Sequence, residues 1–404
     1  MSLSARLGQL LAPYRTLFSD RGLARIVAAS LLARLPIGIN SLAMTLTLQS
    51  SHGSFALAGF AAGAYLLGVG VQAPILGRWI DLKSPRPVLL PVTLAHAALL
   101  CGFVALSWLD VADVALVLVA AAAGFCFPPV SMTMRAMVRK ANWPAALKQS
   151  AFAVESILLE FCFIGGPLIA SAAAAAGAPG LALLCSAGAV LLGVLAFIRA
   201  GGIERWGAVE TGVERHWAGP LALSPIRRAL MVSLTFGIAI GLLELGVTAY
   251  AQTLGRPGLT GWLFAAMSAT SALSGLVYGM RLWRLALSHQ CLLALAWLAV
   301  GTIVLTALAS PAAMLTGCLL LGFGFGPALT ALNLQLGRLA PAQYATETFT
   351  WSMMLFMGGL GGGFLLGGML VDVSGWRLSL LASALGYGVS ATICGFLPRL
   401  WGGS

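Results

Sequence analysis

Gly124-Phe-Cys-Phe-Pro-Pro129 and Gly322-Phe-Gly-Phe-Gly-Pro327 are two versions of one motif, each inside a long apolar run. Downstream of each, the match resumes. Ala151-Phe-Ala-Val-Glu-Ser156 aligns with Thr348-Phe-Thr-Trp-Ser-Met353, and Gly165-Gly166 with Gly362-Gly363. The register slips by one residue in the intervening loop. Three matches in the same order imply an internal duplication, so the chain reads as two related halves. Parallel repeats of this kind are a recurring design of membrane transporters.

Windows of about 20 apolar residues are long enough to cross a bilayer. Read this way, the sequence predicts twelve helices: 24–50, 55–79, 87–109, 112–138, 146–172, 178–199, 226–252, 258–282, 288–309, 311–337, 345–370 and 376–398. The repeated motif falls in the fourth helix of each half. The longest polar connector, 200–225, carries Glu204, Arg205, Glu210, Glu214, Arg215 and His216. It divides the chain into a first six-helix bundle (1–199), a connector (200–225) and a second six-helix bundle (226–404). The expected fold class is therefore an all-α polytopic membrane protein of twelve transmembrane helices in two pseudo-symmetric bundles.

Composition agrees. Of 404 residues 59% are hydrophobic and 9% charged, with a mean hydropathy of +0.95. A soluble domain usually needs about 25% charged residues to cover its surface, so lipid is the expected solvent. The net charge of +11 is expected from basic loops facing an anionic leaflet and not from nucleic-acid binding, since no basic-aromatic groove pattern occurs. Twenty of the 23 Lys and Arg fall in segments that share one side of a twelve-helix topology. Arg256 and Arg377 fall on the other, and Arg34 lies within the first helix. This asymmetry predicts cytoplasmic termini in an inner membrane. The polar, basic stretch Met1 to Arg25 lacks the short apolar core of a cleavable leader, so the first apolar run is expected to persist as a helix. The seven cysteines all lie in apolar runs without a CxxC pair, which predicts packing and neither metal nor disulfide. The four histidines form no HExxH motif, so a membrane-embedded enzyme is disfavoured. A transport-dead receptor or scaffold lacks support from any extra soluble domain.

The loop after the second helix reads Gly77-Arg-Trp-Ile-Asp81-Leu-Lys-Ser-Pro-Arg86-Pro87. With the six-plus-six pattern and the central connector, it resembles the major facilitator superfamily signature of Gly, three residues, Asp and then basic residues. Gly77, Asp81 and Arg86 fit that pattern; Leu82 and Ser84 replace its usual basic residue and glycine. A small residue lets helices approach closely, and an acid at a helix end pairs with bases or with a helix N-terminus. These three residues are thus candidate parts of a conformational latch. The equivalent loop of the second half keeps Gly279 and Arg281 but has Trp283 in place of the acid. In the fifth helix, Cys162, Gly166, Pro167, Ala170 and Ser171 are similar to a degraded form of the family's antiporter signature, with only Gly166 and Pro167 retained outright. The family's buried Arg early in the fourth helix is replaced by Ala120. The resemblance implies alternating access, driven by a gradient. No Walker-type nucleotide loop is present, so no cofactor is expected beyond a proton gradient.

An ionisable side chain within a bilayer costs at least about 2.5 kcal/mol and is a functional candidate by default. Arg34, Glu155, Glu160 and Glu244 qualify; Glu347 lies nearer a helix end. Arg34 cannot release its proton, and its depth roughly matches that of Glu155. An Arg34–Glu155 or Arg34–Glu160 pair is therefore expected. Burial favours the neutral form of a carboxylate and a nearby guanidinium favours the charged form, so exchanging proton for substrate at such a pair would couple two fluxes. The competing expectations are a structural ion pair and direct substrate contact. Glu155 and Glu160 are five residues apart, about 140° around a helix, and need not face the same cavity. Glu244 lies on the seventh helix, the counterpart of the first. Asn40, Tyr65, Met132, Tyr250, Asn333 and Trp351 are weaker candidates for a substrate cavity, and His96 for protonation. Together these features predict a monomeric secondary transporter of a small molecule, exporting amphipathic compounds by proton exchange. The alternative is proton-coupled import of a sugar or organic anion.

Overall fold

The computed structural model describes residues 21–109, 111–140, 145–200, 221, 223–280, 283–341 and 345–396. Most of the connector therefore lies outside the described residues. Twelve helical spans, α1–α12, run in chain order. α1 comprises Arg21–Arg34 and Pro36–His52; α2 is Phe55–Lys83 and α3 Pro85–Leu106. α4 comprises Asp113–Phe125 and Val130–Lys140. α5 is Ala145–Ala175, α6 Gly180–Arg199, α7 Ser224–Thr253 and α8 Gly258–Gly279. α9 is Leu287–Ala307, α10 Pro311–Leu339, α11 Ala345–Ser374 and α12 Trp376–Phe396. All twelve are long and apolar enough to span a bilayer, close to the predicted boundaries. An even number of crossings brings Arg21 and Phe396 to the same face, here termed the terminal end.

The bundle is apolar outside as well as inside. Leu385, Leu192 and Leu118 are 70%, 65% and 63% exposed. In water such exposure would be an association hazard; in lipid it is the solvent-facing coat. Large apolar side chains therefore cannot drive helix packing as they do in water, and close backbone approach replaces them. α2 and α11 meet this way across the two halves. A Cβ on Gly63 would lie 2.5 Å from the Gly361 carbonyl oxygen, so no larger residue fits. Elsewhere short hydroxyls pin one helix to another's backbone: Ser383 donates to the Ala239 carbonyl at 2.6 Å and Ser379 to the Leu242 carbonyl at 2.7 Å.

Two spans are interrupted where proline removes a donor. Pro36 divides α1. In α4 the consecutive Pro128 and Pro129 leave Cys126–Pro129 outside the helix, so the predicted continuous helix 112–138 is in fact two. The partner motif in α10 contains only Pro327 and stays within one helix. At Pro327 the loss of a single N–H is accommodated within the helix.

The end remote from the termini is closed. There α2 and α11 touch along Phe55, Gly59 and Gly63, and Gly261 of α8 abuts Pro167 and Ser171 of α5. The carboxylate of Asp372, near the end of α11, caps α2: it accepts from the amides of Phe55 at 3.0 Å and Ala56 at 2.8 Å and from the Ser54 hydroxyl at 3.0 Å. An acid on the unpaired amides of a helix N-terminus is doubly favoured, by hydrogen bonding and by the helix dipole. The loss of a capping side chain commonly shifts an equilibrium about fivefold. In a background lacking the seven native cysteines, with Ser41→Cys as reporter, Asp372→Ala should speed labelling by an impermeant maleimide from the remote side by about that factor. An unchanged rate would mean that this cap does not hold the end shut.

Candidate functional site

Between the halves lies a cavity of about 300 Å³, the lower end of the range for small-molecule sites. α1, α2, α4 and α5 supply one wall; α7, α8, α10 and α11 supply the other. The walls differ in emphasis. The first carries Arg34, Ser41, Tyr65, Gln72, Ser131 and Glu160 beside Phe127, Phe163 and Met132; the second carries Phe236, Phe264, Phe325, Phe356 and several methionines beside Glu244, Ser268 and Ser271. The lining is predominantly apolar with a few polar groups, as ligand cavities usually are.

Arg34 is the last residue of the first segment of α1, just before the Pro36 break, and is 1% exposed. Its Nη2 lies 3.5 Å from Oε1 of Glu155, which is 2% exposed. The predicted Arg34–Glu155 pair therefore exists in the structure, and Glu155 has a second cation. Nε of Arg135, on the second segment of α4, donates to the same oxygen at 2.8 Å. By sequence Arg135 counts among the loop charges; its position within four residues of the predicted end of the fourth helix is the available signal. No nitrogen of the Arg34 side chain makes a hydrogen bond among the described residues, although the group is buried on the cavity wall.

Glu155 is not part of that wall, whereas Glu160 is, as their separation around the helix allows. Glu160 and Glu244 are half-buried on opposite walls, and among the described residues neither has a cation within 4 Å. α5 approaches α1 closely at the Gly166-Pro167 step. A Cβ on Gly38 would overlap the Cys162 carbonyl oxygen, and one on Gly166 would overlap the backbone of Gly38. Pro167 itself lines the cavity.

Of the other candidates, Tyr65 and Met132 line the cavity. Asn40 is fully buried behind it, bonded to Tyr65, His96 and Ser186. Tyr250 lies off the wall: its hydroxyl donates to the Ala309 carbonyl at 3.1 Å and its ring packs edge-on against Trp376. Asn333 is exposed on α10, and Trp351 is half-buried against the core. Among the described residues Gly77 has no neighbour within 4 Å of the place a Cβ would take, and Arg86 is exposed at the start of α3. The side chain of Asp81 lies outside the described residues. Sequence reasoning misses Gln72 and Ser131, each on the wall with a buried oxygen that has no hydrogen-bond partner among the described residues. Among the described residues no group of His, Cys, Asp and Glu could hold a metal.

Twelve apolar spans around one cavity, closed at one end and with charge buried in its wall, define a membrane transporter. The Major Facilitator Superfamily profile matches residues 26–361, well over half of the chain, and the protein belongs to that superfamily. Its fold is similar to that of the nucleoside transporter NupG, with 16% identity and a TM-score of 0.67 over 94% of this chain and 99% of that one. A mutant of NupG aligns at 14% identity with a TM-score of 0.71, covering 93% and 99%. The human organic anion transporter MFSD10 (TETRAN) aligns at 18% identity with a TM-score of 0.60, covering 92% and 99%. Likeness at these identities is likeness of fold. No curated protein sequence matches the chain.

Breaking a buried ion pair from one side leaves an uncompensated charge, at a typical cost of about 3–5 kcal/mol, whereas replacing both partners by apolar residues is often neutral. Glu155→Leu should therefore destabilise the purified protein by about that amount. The double variant Arg34→Met, Glu155→Leu should recover most of the loss. Thermal unfolding in detergent measures both; additive losses would show that the two charges do not stabilise each other.

Proposed function

We propose that this secondary transporter exports small amphipathic molecules across the cytoplasmic membrane in exchange for protons, by alternating access, as a monomer with cytoplasmic termini. The observation that carries this reading is the cavity: predominantly apolar, with four phenylalanines on one side and most of its polar groups on the other, with Glu160 and Glu244 on facing walls and, among the described residues, no cation beside either. A charge facing an apolar cavity without a partner is costly, and proton exchange is the simplest way for a carboxylate to change that cost as the cavity's contents change. Glu244, which shares its wall with Phe236, Phe264 and Phe325, is the group assigned to carry the proton. The Arg34–Glu155–Arg135 cluster is assigned to position α1, α4 and α5. Gly166 and Pro167, the remnant of the antiporter-like motif, supply the close α1–α5 contact.

A second reading, import or export of an organic anion, is favoured by one observation: Arg34 lies on the wall with its nitrogens free of hydrogen bonds among the described residues. A guanidinium is well suited to a carboxylate. The organic anion and nucleoside transporters of similar fold are compatible with either substrate class.

Everted membrane vesicles holding a preformed pH gradient separate these readings. Addition of amphipathic compounds should dissipate the gradient in vesicles containing the protein, and not in those lacking it. Glu244→Gln should abolish that response while leaving the protein folded. A normal response in this variant would remove Glu244 from the coupling role. A response confined to organic anions, lost with Arg34→Ala, would favour the second reading.

The Gly77, Asp81 and Arg86 loop is proposed as the latch that closes the terminal end when the remote end opens. Asp81→Asn should then slow turnover more than it weakens apparent substrate affinity in the same vesicles. An unchanged turnover rate would leave the loop as an ordinary solvated turn.

A further inference from the structure

Behind the cavity wall, five helices of the first half meet in one buried polar network. Asn40 of α1 donates from Nδ2 to the Tyr65 hydroxyl of α2 at 2.9 Å, and the same nitrogen lies 3.3 Å from Nε2 of His96 on α3. Ser186 of α6 donates to Oδ1 of Asn40 at 2.5 Å. Nδ1 of His96 lies 2.7 Å from the carbonyl oxygen of Ala123 in α4. Asn40, His96 and Ser186 are fully buried, while Tyr65 alone borders the cavity.

The direction of every bond in this network is forced. In an unbroken α4 the Ala123 carbonyl would accept from the amide of Phe127. The Pro128-Pro129 break turns that amide back to Gly124, at 3.1 Å, and leaves the Ala123 carbonyl to His96. A carbonyl only accepts, so Nδ1 of His96 carries the proton. In the neutral ring Nε2 is then an acceptor. Only the amide nitrogen of Asn40 can face an acceptor, which fixes the side-chain orientation and aims its second N–H at the Tyr65 oxygen. The Asn40 oxygen is thereby left for Ser186. The Tyr65 oxygen is an acceptor in this arrangement, so its own proton is the one valence not consumed. Among the described residues no acceptor takes it. Were the ring doubly protonated, it would be a fully buried cation with no described carboxylate bonded to it, a costly state.

On the reading of this cavity as the substrate site, we propose that Tyr65 is a specificity-determining residue, held by Asn40 and His96 as an obligate hydrogen-bond donor to the cavity. The preferred substrate is then an apolar molecule bearing a hydrogen-bond acceptor, such as a carbonyl oxygen, seated against the first half, with its apolar body against the phenylalanines of the second. Asn40 and His96 act through Tyr65 and are positioning residues. The phenylalanines opposite offer packing but little selectivity of their own.

Valerophenone and pentylbenzene differ only in that a carbonyl replaces a methylene, and they are the probes for the test. Binding of each to the purified protein in lipid nanodiscs is measured against empty discs. The wild-type protein should bind valerophenone about fivefold or more tightly than pentylbenzene, the scale of one neutral hydrogen bond. Tyr65→Phe should bring that ratio close to one, with the pentylbenzene affinity unchanged. Asn40→Asp, whose carboxylate draws the Tyr65 proton away from the cavity, should do the same. Ser186→Ala leaves the orientation of Asn40 set by His96 and should preserve the ratio. A wild-type ratio of one, or a ratio that survives Tyr65→Phe, would overturn the proposal. If Asn40→Asp does not fold, Tyr65→Phe decides alone. This measurement is independent of flux: carbonyl preference without proton-linked exchange would sink the coupling reading and leave this one standing, and the converse result would do the opposite.

Discussion

Within the bilayer there is no water to satisfy a polar group left over by the fold. That constraint sorts the buried polar side chains of this protein into two sets. One set is spent on structure. Ser379 and Ser383 of α12 bind carbonyls of α7, Ser233 of α7 binds Ser352 of α11, and Asn40, His96 and Ser186 knit the first half together. The other set has buried atoms without a hydrogen-bond partner among the described residues: the nitrogens of Arg34, which is ion-paired with Glu155, and one oxygen each of Gln72, Ser131, Thr260, Gln335 and Tyr387. The last three are scattered through the second half. Arg34, Gln72 and Ser131 instead share one wall of the cavity. Their concentration there marks a region where a polar ligand or water can reach, and it lies on the same side as Tyr65.

The duplication evident in the sequence makes the differences between the halves informative. Gly124 and Gly322 occupy the same place in the two repeats, and both press against the second helix of their own half, at Tyr65 and at Met267. The surroundings then diverge. Pro128 and Pro129 break α4, free a carbonyl and so orient a chain of polar groups; α10 continues through Pro327, and Met267 stands where the first half has Tyr65. The polar groups of the cavity thus concentrate in the first half, and most of its phenylalanines lie in the second. A cavity with two unlike walls suits a substrate with two unlike ends, as the proposed amphipathic substrates have.

Much of the fold was legible in the sequence because lipid imposes a simple rule on length and charge. All twelve spans lie close to their predicted bounds, and the pairing of Arg34 with Glu155 could be anticipated from matching depth. What depended on rotation about a helix axis was not legible. The separation of Glu155 from Glu160 showed that the two need not share a face, without telling which would reach the cavity. Asn40 and Tyr65 were indistinguishable as cavity candidates, yet one side chain lies behind the other. Arg135 was hidden by its place at a helix end, where basic residues are ordinary. Asp372 was hidden because its partner, the start of α2, is more than three hundred residues away in the chain, and nothing local in either stretch announces the contact.

α2 is the helix on which these separate features converge. Phe55 to Asp81 spans about 39 Å at 1.5 Å per residue, nearly the full depth of a bilayer with its headgroup regions. Its first turn is capped by Asp372 from the other half, its middle presents Tyr65 to the cavity, and its last turns carry Gly77 and Asp81. Along the remote part of this length its glycines touch α11 backbone to backbone. The polar cap on α2 is one contact of modest strength that resists separation of the halves at the remote end, beside the backbone approaches of α2 to α11 and of α8 to α5. A transporter that alternates needs barriers of this size at each end, large enough to keep one end closed and small enough for substrate binding to tip the balance. If Tyr65 reads the acceptor group of the substrate as proposed, a single helix links occupancy of the cavity to both ends, since α2 carries the Asp372 cap at its start and Gly77 and Asp81 in its last turns.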